Sequence, residues 1–188
     1  MGYQNVATPR FYIDHGLWGY STGAFTPTAG GNFQGEPSVL SQLNPSHPHS
    51  YEGWGFVYTI PRLSPVNYIA FLGHDISTQQ GRCYAEYRDS NDNYDSVTET
   101  EVVNFVNGTN QLLDGFSIGT FTDDPSHPFI SGVCNVADDQ NIQGLGMGGK
   151  IGAISIGKYY DMPHSPDLSL SMSHEYDGIK QVTTKGGS

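Results

Sequence analysis

The sequence has few positive charges, few cysteines and no long apolar run. It contains 8 lysine and arginine residues against 19 aspartate and glutamate residues, which gives a formal net charge of −11. An acidic surface repels phosphate backbones and anionic lipid headgroups, so we expect neither nucleic acid nor membrane among the partners. No apolar stretch approaches the roughly 18 residues that a membrane-spanning helix needs. Residues 1–5 lack the basic region and apolar stretch of a signal peptide, so no ordinary export signal is predicted.

Turn-forming and aromatic residues are abundant. The chain of 188 residues contains 24 glycines, 11 prolines, 12 tyrosines and 9 phenylalanines, while charged residues make up only 14%. Many aromatics argue against disorder, and the low share of charged residues argues against a helical bundle. Short strands joined by glycine- and proline-rich turns fit this composition best. The sequence therefore predicts an all-β protein.

The spacing of the apolar segments predicts an antiparallel β-sandwich or jelly roll over residues 51–188. Residues 1–50 are predicted to be an extended, loop-rich N-terminal arm in which Arg10–Asp14 forms one strand. In the sandwich, Trp54 and Leu72 are expected in the core. The predicted strands are Trp54–Ile60, Asn67–Leu72, Cys83–Arg88, Thr100–Val106, Phe116–Phe121, Phe129–Cys134, Ile151–Ile156, Leu168–Met172 and Ile179–Thr184. The end of the chain, Lys185–Ser188, is predicted to be a flexible tail or a connection to a further domain.

The two cysteines, Cys83 and Cys134, are most simply interpreted as buried, reduced thiols on strands. A disulfide across the sandwich stays open, because sequence spacing does not reveal pairing. Neither a CxxC motif nor a zinc-type Cys/His spacing occurs in the sequence. We therefore expect no metal centre of that type, and no cofactor.

One loop alternates oxygen-bearing side chains in the manner of a calcium loop, at Asp89, Asn91, Asn93 and Asp95. Tyr94 stands where an EF-hand loop needs its turning glycine, and Thr100 stands where that loop has its last ligand. A hairpin turn is therefore the favoured interpretation, because Asp and Asn are common turn residues. A calcium site is the weaker alternative. The pair His47 and His49 is also a weak signal for a metal site, because two ligands alone do not define one.

Two adjacent carboxylates, Asp123 and Asp124, have the residue types that glycoside hydrolysis requires. In a proline-flanked loop such a pair is more often a solvated turn. We therefore predict no catalytic residue and no enzymatic activity. A glycan hydrolase that uses Asp123 or Asp124 is the third and weakest hypothesis.

Several segments resemble structural proteins of phages. Asn67–Asp75 (NYIAFLGHD) and Ile151–Tyr160 (IGAISIGKYY) resemble strands of tail-associated phage proteins that have a galactose-binding-like β-sandwich. Thr8–Ile13 and Tyr159–Asp167 resemble uncharacterised structural proteins of marine phages. The resemblance implies a virion structural protein of the tail, baseplate or fibre attachment, assembled in the host cytoplasm. It supplies no catalytic residues. In the first segment, His74 and Asp75 are expected to hold their turn by hydrogen bonds to backbone.

Two functional hypotheses follow from the sequence. In the first, the chain is a repeated virion subunit whose partners are copies of itself and other virion proteins. The aromatic residues of the arm would then pack on a neighbour: Phe11, Tyr12, Trp18, Tyr20, Phe25 and Phe33. In the alternative, the chain is a carbohydrate-binding module for host surface glycans, with Tyr94, Tyr159 or Tyr160 as the stacking aromatics.

Overall fold

A computed structural model describes residues 9–75, 82–91, 100–106, 115–135 and 149–162. The chain divides into two compact units. Unit 1 comprises residues 1–12 and 159–188, of which residues 9–12 and 159–162 are described. Unit 2 comprises residues 13–158. Among the described residues, no helix is long and apolar enough to cross a membrane.

The described residues are mostly strands, with one α-helix and one 3-10 helix. In chain order the elements are β1 (Arg10–Asp14), α1 (His15–Thr22), β2 (Thr28–Phe33), the 3-10 helix η1 (Pro37–Gln42), β3 (His49–Pro61), β4 (Tyr68–Leu72), β5 (Arg82–Arg88), β6 (Thr100–Val106), β7 (Phe116–Thr120), β8 (Phe129–Asn135), β9 (Gly149–Ile151) and β10 (Ala153–Asp161).

The strands form two sheets. The six-stranded sheet has the order β2-β3-β8-β5-β6, with β9 also beside β3, and the four-stranded sheet has the order β1-β10-β4-β7. The registers described for both sheets are antiparallel. The predicted class, an antiparallel β-sandwich, is confirmed.

The core of unit 2 lies between the two sheets because alternate side chains of each strand point inward. Phe56, Tyr58 and Ile60 of β3 are fully buried, as are Ile69 and Phe71 of β4. A methyl group added at Gly132 of β8 would lie 3.1 Å from side-chain atoms of Ile69 and Ile154 in the opposite sheet. Glycine at this position therefore permits close packing of the two sheets.

Residues 13–50 contribute to this sandwich. Strand β2 pairs with β3, and Leu40 of η1 is fully buried in the core. The predicted boundary between residues 50 and 51 falls inside β3, so it does not coincide with a break in the structure. Strand β2 was missed because its sequence, TAGGNF, has two glycines and low strand propensity.

Helix α1 was also missed, because its eight residues, HGLWGYST, show no helical apolar stripe. Two local signals define it. The Asp14 side chain accepts a hydrogen bond of 2.8 Å from the backbone N–H of Leu17, which caps the first turn. Gly23 ends the helix in the left-handed conformation, with φ of 67°.

Most of the strand predictions agree with the structure. The strand at Arg10–Asp14 and the seven predicted between residues 54 and 156 are present, although the last of these is divided into β9 and β10. Leu72 is only half-buried and lies on the face opposite Phe71, so its assignment to the core is wrong. The side chain of Trp54 and the strands predicted at Leu168–Met172 and Ile179–Thr184 lie outside the described residues.

Candidate functional site

Strands β1 and β10 place aromatic and charged side chains on one surface of unit 1. Side chains two residues apart in a strand point to the same side. At the end of this surface, the backbone N–H of Met162 donates to the Pro9 carbonyl at 2.9 Å, which holds the two segments together. We call this the Tyr12–Tyr159 surface, and it consists of Arg10, Tyr12, Tyr159 and Asp161.

The four side chains of the Tyr12–Tyr159 surface contact one another. Arg10 Nε donates to Asp161 Oδ1 at 2.7 Å, and this bond raises the pKa of the Arg10 guanidinium. The Arg10 Cζ atom lies 4.6 Å from the centroid of the Tyr159 ring, within the range of a cation–π interaction. The ring centroids of Tyr12 and Tyr159 are 6.2 Å apart, with ring planes tilted by 46°.

This surface is open to solvent. Tyr12 is 42% exposed, and the side chains of Arg10 and Asp161 are also exposed. It therefore combines an accessible aromatic ring with fixed hydrogen-bond donors and acceptors. Such a combination suits a ligand that has one apolar face and a polar edge.

Strand alternation places Phe11 and Tyr160 on the other side of the same two strands. Phe11 is 61% exposed, and Tyr160 and Met162 are also exposed. This second surface, which we call the Phe11 surface, is apolar. The two surfaces differ in chemistry although neighbouring residues of one strand contribute to them.

In unit 2, Asp123 is the centre of a separate polar cluster. Arg62 donates to it twice, from Nε at 3.0 Å and from Nη2 at 2.6 Å, and the backbone N–H of Val66 donates at 2.9 Å. Partial burial opposes ionisation of Asp123, but these bonds outweigh it and hold the pKa of the carboxyl below its ordinary value. The prediction that Asp123 is a solvated turn residue is therefore wrong: it ties the loop after β7 to the loop after β3.

Asp124 agrees with the turn interpretation. Its carboxylate accepts hydrogen bonds from the Ser126 backbone N–H and hydroxyl, at 2.9 and 2.6 Å, and these bonds hold its pKa below the ordinary value. A general acid in glycoside hydrolysis needs a raised carboxyl pKa. In this cluster the pKa of both Asp123 and Asp124 is lowered. The arrangement thus gives neither residue the property expected of that acid.

The loop predicted as a calcium site is described only in part. Asp89 Oδ1 lies 2.7 Å from His127 Nδ1, and the His127 ring stacks on Tyr87 with centroids 5.6 Å apart. Asn91 is exposed, whereas Asn93, Tyr94 and Asp95 lie outside the described residues. Among the residues that are described, no group of three or more histidine, cysteine or acidic side chains is placed to hold a metal.

The pair His47 and His49 does not converge on a common point. The His47 Nδ1 atom lies 3.2 Å from both Ser46 and Asn44, whereas the His49 ring lies against Phe33, with centroids 6.1 Å apart. Each of the two histidines therefore forms its own local contacts.

The turn after β4 has the predicted glycine. Gly73 has φ of 66°, and a side chain there would meet the Pro45 carbonyl at 2.2 Å, so glycine is required. Asp75 Oδ1 accepts a hydrogen bond of 2.7 Å from the backbone N–H of Lys150, as expected of a residue that bonds to backbone. The His74 imidazole is buried and bonds to the Ser117 hydroxyl at 3.0 Å. This side-chain partner was not predicted.

The sequence prediction found only part of the candidate site. It named Tyr159 and Tyr160 as stacking aromatics, but it did not name Arg10 or Asp161 as a pair. These two residues are 151 positions apart, and only their neighbouring strands bring them together. The alternation of Arg10 and Tyr12 in a predicted strand was the available signal.

Neither a protein-family model nor a curated protein matches this chain. Similar solved structures include a chitosan-binding module of a chitosanase/glucanase from Paenibacillus sp. IK-5, at 15% identity and TM-score 0.46 over 71% of this chain and 93% of that chain. A CBM32 module of a family 31 glycoside hydrolase from Clostridium perfringens matches at 11% identity and TM-score 0.45, over 71% and 92%.

A third structure, truncated AlyQ with CBM32 and alginate lyase domains, matches at 14% identity and TM-score 0.48, over 86% of this chain and 36% of that chain. None of these three is described as a virion protein. At such identities the similarity concerns the fold and does not extend to a ligand. The chain itself is an antiparallel β-sandwich, as its strand pairing shows.

Proposed function

We propose that this chain is a carbohydrate-binding module and that the Tyr12–Tyr159 surface binds the sugar. The observation that carries the proposal is the exposed Tyr12 ring beside the ion pair of Arg10 and Asp161. The exposed tyrosine supports stacking, and the charged pair supports hydrogen bonding. The proposal keeps Tyr159 from the sequence-based hypothesis and adds the three residues that surround it.

The chemistry of a pyranose ring matches this arrangement. Its C–H groups form an apolar face that stacks on an aromatic ring, while its hydroxyl groups form a polar edge. Hydrogen bonds to ionised groups are stronger than those between neutral groups, and a guanidinium or carboxylate can contact two neighbouring hydroxyls at once. A sugar stacked on Tyr12 would present such hydroxyls to Arg10 and Asp161. We expect a dissociation constant of about 0.1–1 mM for one sugar unit at so open a site.

Contacts within the surface restrain the Arg10 side chain. Asp161 and the Tyr159 ring both restrain the Arg10 side chain, at 2.7 Å and 4.6 Å. Binding then immobilises few additional side-chain rotamers, which lowers its entropic cost.

The charge distribution favours a neutral glycan. The positive charge of Arg10 is balanced by Asp161, so the surface offers an anionic sugar no uncompensated cation. The whole chain has a formal net charge of −11, which repels uronate- or sulfate-bearing polysaccharides at a distance. Binding should therefore depend little on ionic strength.

The test is a glycan array followed by calorimetric titration of the strongest neutral ligand. Tyr12→Ala should weaken binding at least tenfold because the stacking ring is lost. Phe11→Ala is the matched control: it removes an exposed aromatic from the next position of the same strand, on the opposite side, and should leave affinity unchanged. The proposal fails if no neutral glycan binds, or if both variants lose affinity equally.

A virion structural role is the second hypothesis, and one observation favours it. The Phe11 surface exposes Phe11, Tyr160 and Met162, and contact with another copy or another virion protein would bury these side chains. Light scattering of the full chain tests this role: self-association that Phe11→Ala abolishes would support it, and monomeric behaviour at all concentrations would argue against self-assembly. That the chain catalyses no reaction stays a prediction.

A further inference from the structure

The two cysteines of the chain lie directly opposite each other on neighbouring strands. Cys83 of β5 and Cys134 of β8 are Cα partners in the antiparallel register of the six-stranded sheet. Both are free, fully buried and part of the same core cluster, so both side chains point to the inner face. The two thiols therefore belong to one sheet, and a bridge between the two sheets, which the sequence left open, is excluded.

Geometry at this position permits a covalent bond. Directly opposite residues of antiparallel strands have Cα atoms about 4.5 or 5.5 Å apart, and a disulfide takes Cα separations of about 4.4–6.8 Å. The Cβ atoms of such residues lie about 4.5–5.5 Å apart, whereas a disulfide has about 3.5–4.5 Å. These two ranges of Cβ separation meet at about 4.5 Å, so a small approach of the two strands is sufficient to form a disulfide.

We propose that Cys83 and Cys134 form a cross-strand disulfide when the chain folds in the presence of a small-molecule disulfide. The thiolate of one cysteine attacks a sulfur of the oxidant and releases one small thiolate, which leaves a mixed disulfide. The second cysteine then attacks the protein sulfur of that mixed disulfide and releases the other small thiolate. Two protein thiols are oxidised, and one small disulfide is reduced to two thiols.

The exchange takes place before the sheet closes. Burial raises the pKa of both thiols, so the folded chain contains little of the thiolate that attacks. Once the strands have paired, the same burial shields the bond from reductants. Whether the folded chain contains the bond therefore depends on the redox conditions during folding.

A bond between Cys83 and Cys134 restrains an internal pair of the sheet. Strands β5 and β8 lie between β3 and β6, and the loop that the bond closes contains β6 and β7. Closing a loop of this length removes conformational freedom from the unfolded chain. For a chain of this size we expect the melting temperature to rise by about 5–15 °C.

The experiment refolds the full chain from denaturant in either a reduced or an oxidised glutathione buffer. After unfolding, an alkylating reagent labels every free thiol, and intact mass counts the labels. We expect two labels after reducing refolding and none after oxidising refolding, with a monomeric chain in both cases. The oxidised form should melt at the higher temperature, and reductant should abolish the difference only after the chain has been unfolded.

Cys83→Ala and Cys134→Ala are the controls, because neither variant can form the internal bond. Each should melt at one temperature in both buffers, whatever stability the substitution itself removes. Two labelled thiols after oxidising refolding would overturn the proposal. So would disulfide-linked dimers in place of the internal bond, or a lower melting temperature of the oxidised monomer.

Discussion

Asp123→Ala is the substitution that best separates a structural carboxylate from a solvated one. It removes both hydrogen bonds from Arg62 and the one from the Val66 backbone N–H. It also leaves Arg62, whose side chain is 13% exposed, without this partner. The loop after β3 would therefore lose these three hydrogen bonds to the loop after β7, while the backbone hydrogen bond from the Phe121 N–H to the Asn67 carbonyl remains.

The loss of stability expected for Asp123→Ala lies between the loss for breaking an exposed ion pair and the loss for breaking a fully buried one. Exposed pairs contribute about 0–1 kcal/mol, and removing one partner of a buried pair costs about 3–5 kcal/mol. The Asp123 side chain is 22% exposed, so solvent screens part of the interaction. We therefore expect Asp123→Ala to lower the free energy of unfolding by about 2–4 kcal/mol, or the melting temperature by about 4–16 °C.

Urea denaturation at pH 7 and at pH 3 measures this loss and its pH dependence. The folded-state pKa of Asp123 is below its ordinary value of 3.8, so its stabilising contribution is present above that pH. The contribution disappears as the pH falls through the folded-state pKa. The difference between the wild type and Asp123→Ala should therefore be full at pH 7 and smaller at pH 3.

Asp124→Ala is the matched control, because it removes the neighbouring carboxylate, whose side chain is 44% exposed and bonds to Ser126. It should change the unfolding free energy much less. A double-mutant cycle of Asp123→Ala with Arg62→Met should show that the two residues are coupled. If Asp123→Ala and Asp124→Ala are equally mild, or the cycle shows no coupling, the structural role of Asp123 is refuted.

Two further predictions concern the core and the cap of α1. Phe71→Ala should cost about 3–5 kcal/mol because Phe71 is fully buried, and Leu72→Ala, at a half-buried position of the same strand, should cost clearly less by thermal unfolding. Burial raises the pKa of Asp14, so its stability contribution is full below pH 3.8 and is lost as the pH rises through the folded-state pKa. Asp14→Asn keeps the cap and should therefore be more stable than the wild type at pH 7 but not at pH 3. In urea denaturation at pH 7, the unfolding free energy of Asp14→Ala should be about 1 kcal/mol lower than that of Asp14→Asn, because alanine cannot cap the helix.

The local pattern of the sequence was sufficient to predict the fold class and most strands. Short runs rich in aromatic and β-branched residues, bounded by glycine and proline, predicted β4, β5 and β8 within a residue or two of their observed ends. These signals depend only on near neighbours along the chain. They fail where local preference is weak, and for that reason β2 and α1 were not predicted.

The sites depend on contacts that sequence distance conceals. Arg10 meets Asp161 across 151 positions, Arg62 meets Asp123 across 61, and Cys83 faces Cys134 on a neighbouring strand. The residue types were visible in the sequence, but the strand order that brings them together was not. The tertiary structure decided which carboxylate is fixed, which tyrosine lies beside an ion pair and which thiols face each other, because strand pairing and loop packing determine which distant side chains meet.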